Sequence, residues 1–108
     1  MIREASGTIT ADGTEQVLAS LTGAKSFMFL VSAVNMANGD TLELRISERM
    51  LVIGDPFEVA YFAQFTDAQL VTDILKVSVP TPSDVEIQFT LKQTAGTFRS
   101  FKWKVLSV

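Results

Sequence analysis

The chain has 108 residues, 47% of them hydrophobic, and a net charge of −3 with neither Cys nor His. That composition excludes disulfides, thiolate or imidazole metal sites, and Ser–His or Cys–His nucleophiles. Nine basic residues are scattered without a stripe, which argues against nucleic acid as a partner. No run reaches the roughly 18 apolar residues of a membrane span, so no membrane partner is expected.

The N-terminus, Met1 to Thr8, lacks an apolar h-region, and no secretory leader is expected there. Ile2 to Thr10 reads as a first strand, closed by the turn Ala11-Asp12-Gly13. Glu15 to Leu21 follows as a strand with Val17, Ala19 and Leu21 on one face. Ser26 to Val34 is apolar on both faces, with Phe27, Phe29, Val31 and Ala33 on one and Met28, Leu30 and Val34 on the other. A strand of that kind needs cover on both sides.

Asn35 to Asp40 is a loop carrying the Asn38-Gly39 turn signal. Leu42, Leu44 and Ile46 then alternate with Glu43, Arg45 and Ser47, in a strand that the pattern carries on toward Val52. Gly54-Asp55-Pro56 turns the chain. Phe57 to Phe65 is a strand with Phe57, Val59, Tyr61, Ala63 and Phe65 on one face and Phe62 on the other. Thr66 to Asp73 has no clear period; Thr66 could N-cap a helical turn there. Ile74 to Val79 is a short strand, and Pro80 to Asp84 reads as a rigid link barred from a central strand.

In the last stretch Val85, Ile87, Phe89 and Leu91 alternate with polar residues, as do Phe101, Trp103 and Val105. The two runs flank the turn Thr94-Ala95-Gly96-Thr97, which predicts an antiparallel hairpin in the middle of the core. About eight strands with turn signals at roughly 8–12-residue spacing predict one all-β domain, an antiparallel β-sandwich over residues 1–108, with jelly-roll order. The expected core is Phe29, Val31, Leu44, Ile46, Val59, Ile87, Phe89, Leu91 and Trp103. Gly39 and Gly96 are expected at positive φ.

Catalytic chemistry finds little to work with. Glu43, Glu48, Glu58 and Glu86 fall at solvent-facing strand positions, which solvation explains better than paired-carboxylate hydrolysis. All six Asp residues lie in or near turns. Asp40 and Asp55 are candidates for a calcium site, although turn chemistry accounts for them more simply. Trp103 and Tyr61 could stack on a sugar, and Lys102 with Lys104 could grip an anion; core packing and a solvated face are the plainer readings. The chain is therefore expected to be non-enzymatic, with no cofactor, metal or catalytic residue.

Two stretches, Asn38 to Ile46 and Phe89 to Val105, resemble small all-β virion proteins of tailed bacteriophages, of the capsid decoration or cement kind. That resemblance implies a compact jelly roll or related sandwich, of a kind that often trimerises and binds the outside of a capsid lattice, with itself and the major capsid protein as partners. A carbohydrate- or receptor-binding module of a phage tail, stacking sugars on Tyr61 or Trp103, is the competing expectation. The apolar content of so short a chain also points to surface that association would cover. Met28, Leu30 and Phe62 are the interface candidates, as apolar groups on the second faces of their strands.

Overall fold

A computed structural model describes all residues, 1–108. It contains nine strands: β1 (Ile2–Thr10), β2 (Gln16–Thr22), β3 (Lys25–Ser32), β4 (Thr41–Arg49), β5 (Glu58–Thr66), β6 (Leu75–Val77), β7 (Thr81–Ser83), β8 (Glu86–Ala95) and β9 (Ser100–Ser107). Sheet A runs β1-β9-β3-β6, with β7 also on β3; sheet B runs β2-β8-β4-β5. Every pairing is antiparallel.

The pairings are nested. The hairpin β4–β5 lies innermost, β3 pairs with β6 and β7, β2 with β8, and β1 with β9. A long antiparallel ribbon rolled into two facing sheets gives this order, which is the jelly roll. Alternation explains why the sheets face each other: Phe27, Phe29, Val31, Phe101 and Val105 of sheet A, and Leu42, Leu44, Ile46, Ile87, Phe89 and Leu91 of sheet B, are all buried in one core.

Four expectations change. The terminal hairpin is not one: β8 belongs to sheet B and β9 to sheet A, so Gly96 to Arg99 arches across the sandwich. Each strand is still central in its own sheet, between β2 and β4 or between β1 and β3. Val59 leaves the core and is 59% exposed, because the register slips between Ile46 and Ser47 and sets Tyr61 opposite Ile46 but Val59 opposite Ser47. The same device between Val17 and Ala19 turns Val17 outward and Leu18 toward the core. Trp103 does face the core beside Val31, but it is only partly buried, and its indole packs against Gly7 of β1.

Two links differ as well. Thr66 to Asp73 holds a 3-10 turn, Val71–Asp73, whose N-cap is Leu70 rather than Thr66. The Pro80–Asp84 link supplies strand β7, with Pro82 opposite Ser26. That placement obeys the rule against proline in central strands, since β7 lies at the sheet edge. Beside it, β6 is three residues long and turns Lys76 inward, where its ammonium meets the Phe65 ring at 4.5 Å and donates to Asp73 Oδ2 at 2.9 Å. Short length, an inward charge and a proline all blunt this edge against strand addition.

Gly39 and Gly96 have φ of +96° and +88°, as expected.

Candidate functional site

Two surfaces stand out once the fold is fixed. The first is the end of the sandwich that carries both termini. The strand register brings the β4–β5 tip, the β2–β3 turn and the start of β8 to this end. The tip holds four consecutive apolar residues in solvent: Met50 (66% exposed), Leu51 (77%), Val52 (58%) and Ile53 (58%). Met1, Ile2, Val59 and Val108 are exposed at the same end. Runs of three or four exposed apolar residues are costly to solubility and call for a purpose.

The tip is built rather than loose. The N–H groups of Leu51 and Val52 donate to Asp55 Oδ2 at 2.9 and 3.1 Å, and Asp55 N donates back to Val52 O at 3.0 Å. The two N–H donors, helped by the charge of Arg49, hold the Asp55 carboxyl below its ordinary range despite some desolvation. Arg49 locks the base of the tip: it donates to the Asp55 carbonyl, pairs with Glu86 at 2.6 Å and stacks on Phe57 at 4.2 Å.

Behind the tip lies an open cleft of about 840 Å³, lined by Met50, Leu51 and Val59 and by Glu48, Glu58 and Asp84. Burial raises the Glu48 carboxyl, and the charge of Asp84 adds to it. The Ser83 hydroxyl pulls the other way but closes no well-formed hydrogen bond. The acids do not converge as ligands: no group of three or more His, Cys, Asp or Glu could hold a metal ion.

The calcium candidates are occupied by protein donors. Asp55 holds the tip, as described. Asp40, 1% exposed, accepts from Ala37 N at 2.9 Å, Thr97 N at 3.2 Å and Arg99 Nε at 2.9 Å. Burial pushes the Asp40 carboxyl up, but the Ala37 N–H, the Arg99 guanidinium and the Thr97 N–H together outweigh it and hold the carboxyl below its usual range. A carboxyl lowered on folding stabilises the fold above its unfolded pKa, near 3.9, and that share is lost as pH falls through the folded value. Urea melts should therefore show wild type well ahead of Asp40→Asn at pH 7. The gap is expected to close below about pH 4; a gap constant with pH would assign the loss to packing instead.

The second surface is the outer face of sheet A. A groove of about 410 Å³ runs there, with Arg3, Lys102 and Lys104 in its walls and Leu30 and Leu75 on one side. Ser6, Thr8 and Ser32 add hydroxyls. Sequence reasoning found the two lysines. It missed Arg3, which pairing brings beside Leu106 from the far end of the chain.

The interface candidates do not form one patch. Met28 and Leu30 lie on the outer side of sheet A, where Leu30 is only 8% exposed at the groove. Phe62 lies on the opposite face of the sandwich, 48% exposed, with the Arg45 guanidinium 4.7 Å above its ring. The sugar-stacking platform is also altered: Tyr61 and Trp103 are both partly buried, packed against the core. The apolar tip is legible as Met50-Leu51-Val52-Ile53 between Arg49 and Gly54, but strand periodicity runs straight through it and hides it. Compared with protein-family models, with curated proteins and with solved structures, the chain matches none.

Proposed function

We propose that the chain is a non-enzymatic structural subunit that self-associates through the terminal end of its jelly roll and decorates the exterior of a bacteriophage capsid. The observation that carries self-association is the Met50–Ile53 tip, four exposed apolar residues held in shape by Asp55 and Arg49. Pre-organisation matters here, since an apolar surface that is already ordered loses little entropy on docking. A symmetric contact would cover it without a second gene product. The capsid, its major protein as second partner, and the preference for a trimer come from the resemblance of Asn38–Ile46 and Phe89–Val105 to phage decoration proteins.

Sedimentation velocity at micromolar concentration tests the first part. The wild type should sediment as an oligomer, with a trimer expected. Leu51→Glu should sediment as a folded monomer, because a carboxylate buried in an apolar interface loses hydration without gaining a partner. Phe62→Glu serves as the comparison: dissociation by it alone would move the interface to sheet B. A wild-type monomer overturns self-association. Cosedimentation with bare capsid shells tests the attachment, and failure to pellet with them overturns that part.

A further inference from the structure

We infer that the outer groove of sheet A binds an acidic polysaccharide, gripping its carboxylates or sulfates with Arg3, Lys102 and Lys104. This does not depend on self-association, since the groove and the apolar tip are separate surfaces.

The argument begins with the charges. Five of the nine basic side chains are neutralised in ion pairs: Lys25, Arg45, Arg49, Lys76 and Arg99. Four remain, and three of those four line this one groove. No carboxylate lines it with them. In a chain of net charge −3, carboxylates are the commoner charge, so a cluster of three free cations runs against composition.

The opposite face shows the alternative. On sheet B, Arg45 donates to Glu43 at 3.0 Å, Gln64 donates to the same carboxylate at 3.5 Å, and Arg45 covers Phe62. That face pairs Arg45 with a carboxylate and leaves a single free cation, Lys92; the face of sheet A leaves three together.

Geometry sets the ligand's form. Lys102 and Lys104 stand on the same side of β9, opposite Thr8 and Ser6, and Arg3 stands opposite Leu106. Alternate residues of a strand are about 7 Å apart, so the three cations form a file along the groove. A linear chain with repeated anions fits a file better than a single compact anion does. The hydroxyls of Ser6, Thr8 and Ser32 both donate and accept, which suits sugar hydroxyls. Leu75, 53% exposed at the edge of the groove, offers an aliphatic surface for the C–H face of a pyranose ring.

A single-stranded nucleic acid would need bases stacked on open aromatic faces. The only aromatic residue lining the groove is Trp103, whose ring packs inward beside Gly7. The saccharide is therefore the better occupant.

Trp103 is the only tryptophan and lies on β9 between Lys102 and Lys104, so its emission is a local probe of binding at the groove. The protein is titrated with oligogalacturonate, dextran sulfate, neutral dextran and an oligonucleotide of matched charge. A saturable emission change is expected with at least one acidic saccharide and none with neutral dextran. Lys104→Glu should lower the association constant about tenfold or more, the scale of removing one charge-assisted hydrogen bond and adding one repulsion. Lys92→Glu makes the same charge change at the fourth free cation, on sheet B, and should leave binding unaltered. Both side chains project from strand surfaces, and circular dichroism checks that both variants keep the fold. No response to either acidic saccharide overturns the proposal. So does an equal loss in Lys92→Glu, which would reduce the effect to net charge, and so does an oligonucleotide that binds as tightly as the saccharides.

Discussion

Phe89→Ala is expected to cost about 3–5 kcal/mol of folding free energy, the range for emptying a fully buried phenylalanine site. Phe89 is wholly buried on β8, the strand between β2 and β4. Its ring crosses the sandwich and wedges against two rings of β3: Phe27, edge-on at 6.1 Å, and Phe29, tilted at 5.4 Å. Both ring pairs join the two sheets, so truncation opens a cavity between layers that strand pairing cannot close. Domains of this size are stable by about 5–15 kcal/mol, so the loss removes a large share. Thermal denaturation should show a fall of well over about 10 °C. Phe89→Leu, which keeps most of the volume, should fall much less. An unchanged midpoint for Phe89→Ala would place the ring outside the core.

That core is legible in the sequence because period two survives wherever the ladder is regular. Leu42, Leu44 and Ile46, like Ile87, Phe89 and Leu91, are buried as alternation requires. Val59 and Val17 depart from alternation for one reason: a bulge adds a residue to one strand and exchanges the faces beyond it. Neither bulge carries a glycine to announce it. The terminal hairpin fails for a different reason. Alternation says which face of a strand is buried but not which sheet the strand joins, and a hairpin and an arch have the same pattern. One signal is present. Gln93 occupies an inward position after Leu91, and it is fully buried there, donating to Ala95 O and Thr97 O and accepting from Arg99 N. A polar group at the end of an apolar file that ties down the following loop marks a chain leaving its sheet. The apolar tip is local in sequence and so is readable from it. The cationic groove is not, because Arg3 and Lys104 meet only through the pairing of the first strand with the last.

The same arch gives the other large effect. Gly96→Val should destabilise the fold by about 3 kcal/mol or more, through two separate causes. Gly96 has φ +88°, a region β-branched residues resist. A Cβ there would also lie 2.7 Å from the Cα of Asp40, so the backbone of the β3–β4 loop must move. Moving it displaces the Asp40 carboxylate, which receives Ala37, Thr97 and Arg99 and whose own carbonyl accepts from Asp67 N at 2.8 Å. Three connections of the sandwich meet at that one residue, and a buried carboxylate stripped of its donors is strongly destabilising. Gly23→Val separates the causes. Gly23 has φ +106° with nothing within 4 Å of its would-be Cβ, so the substitution there carries the conformational strain alone. Urea unfolding should rank wild type above Gly23→Val, and Gly23→Val clearly above Gly96→Val. Equal losses at the two glycines would mean that the arch yields to the added side chain and that Asp40 does not fix it in place.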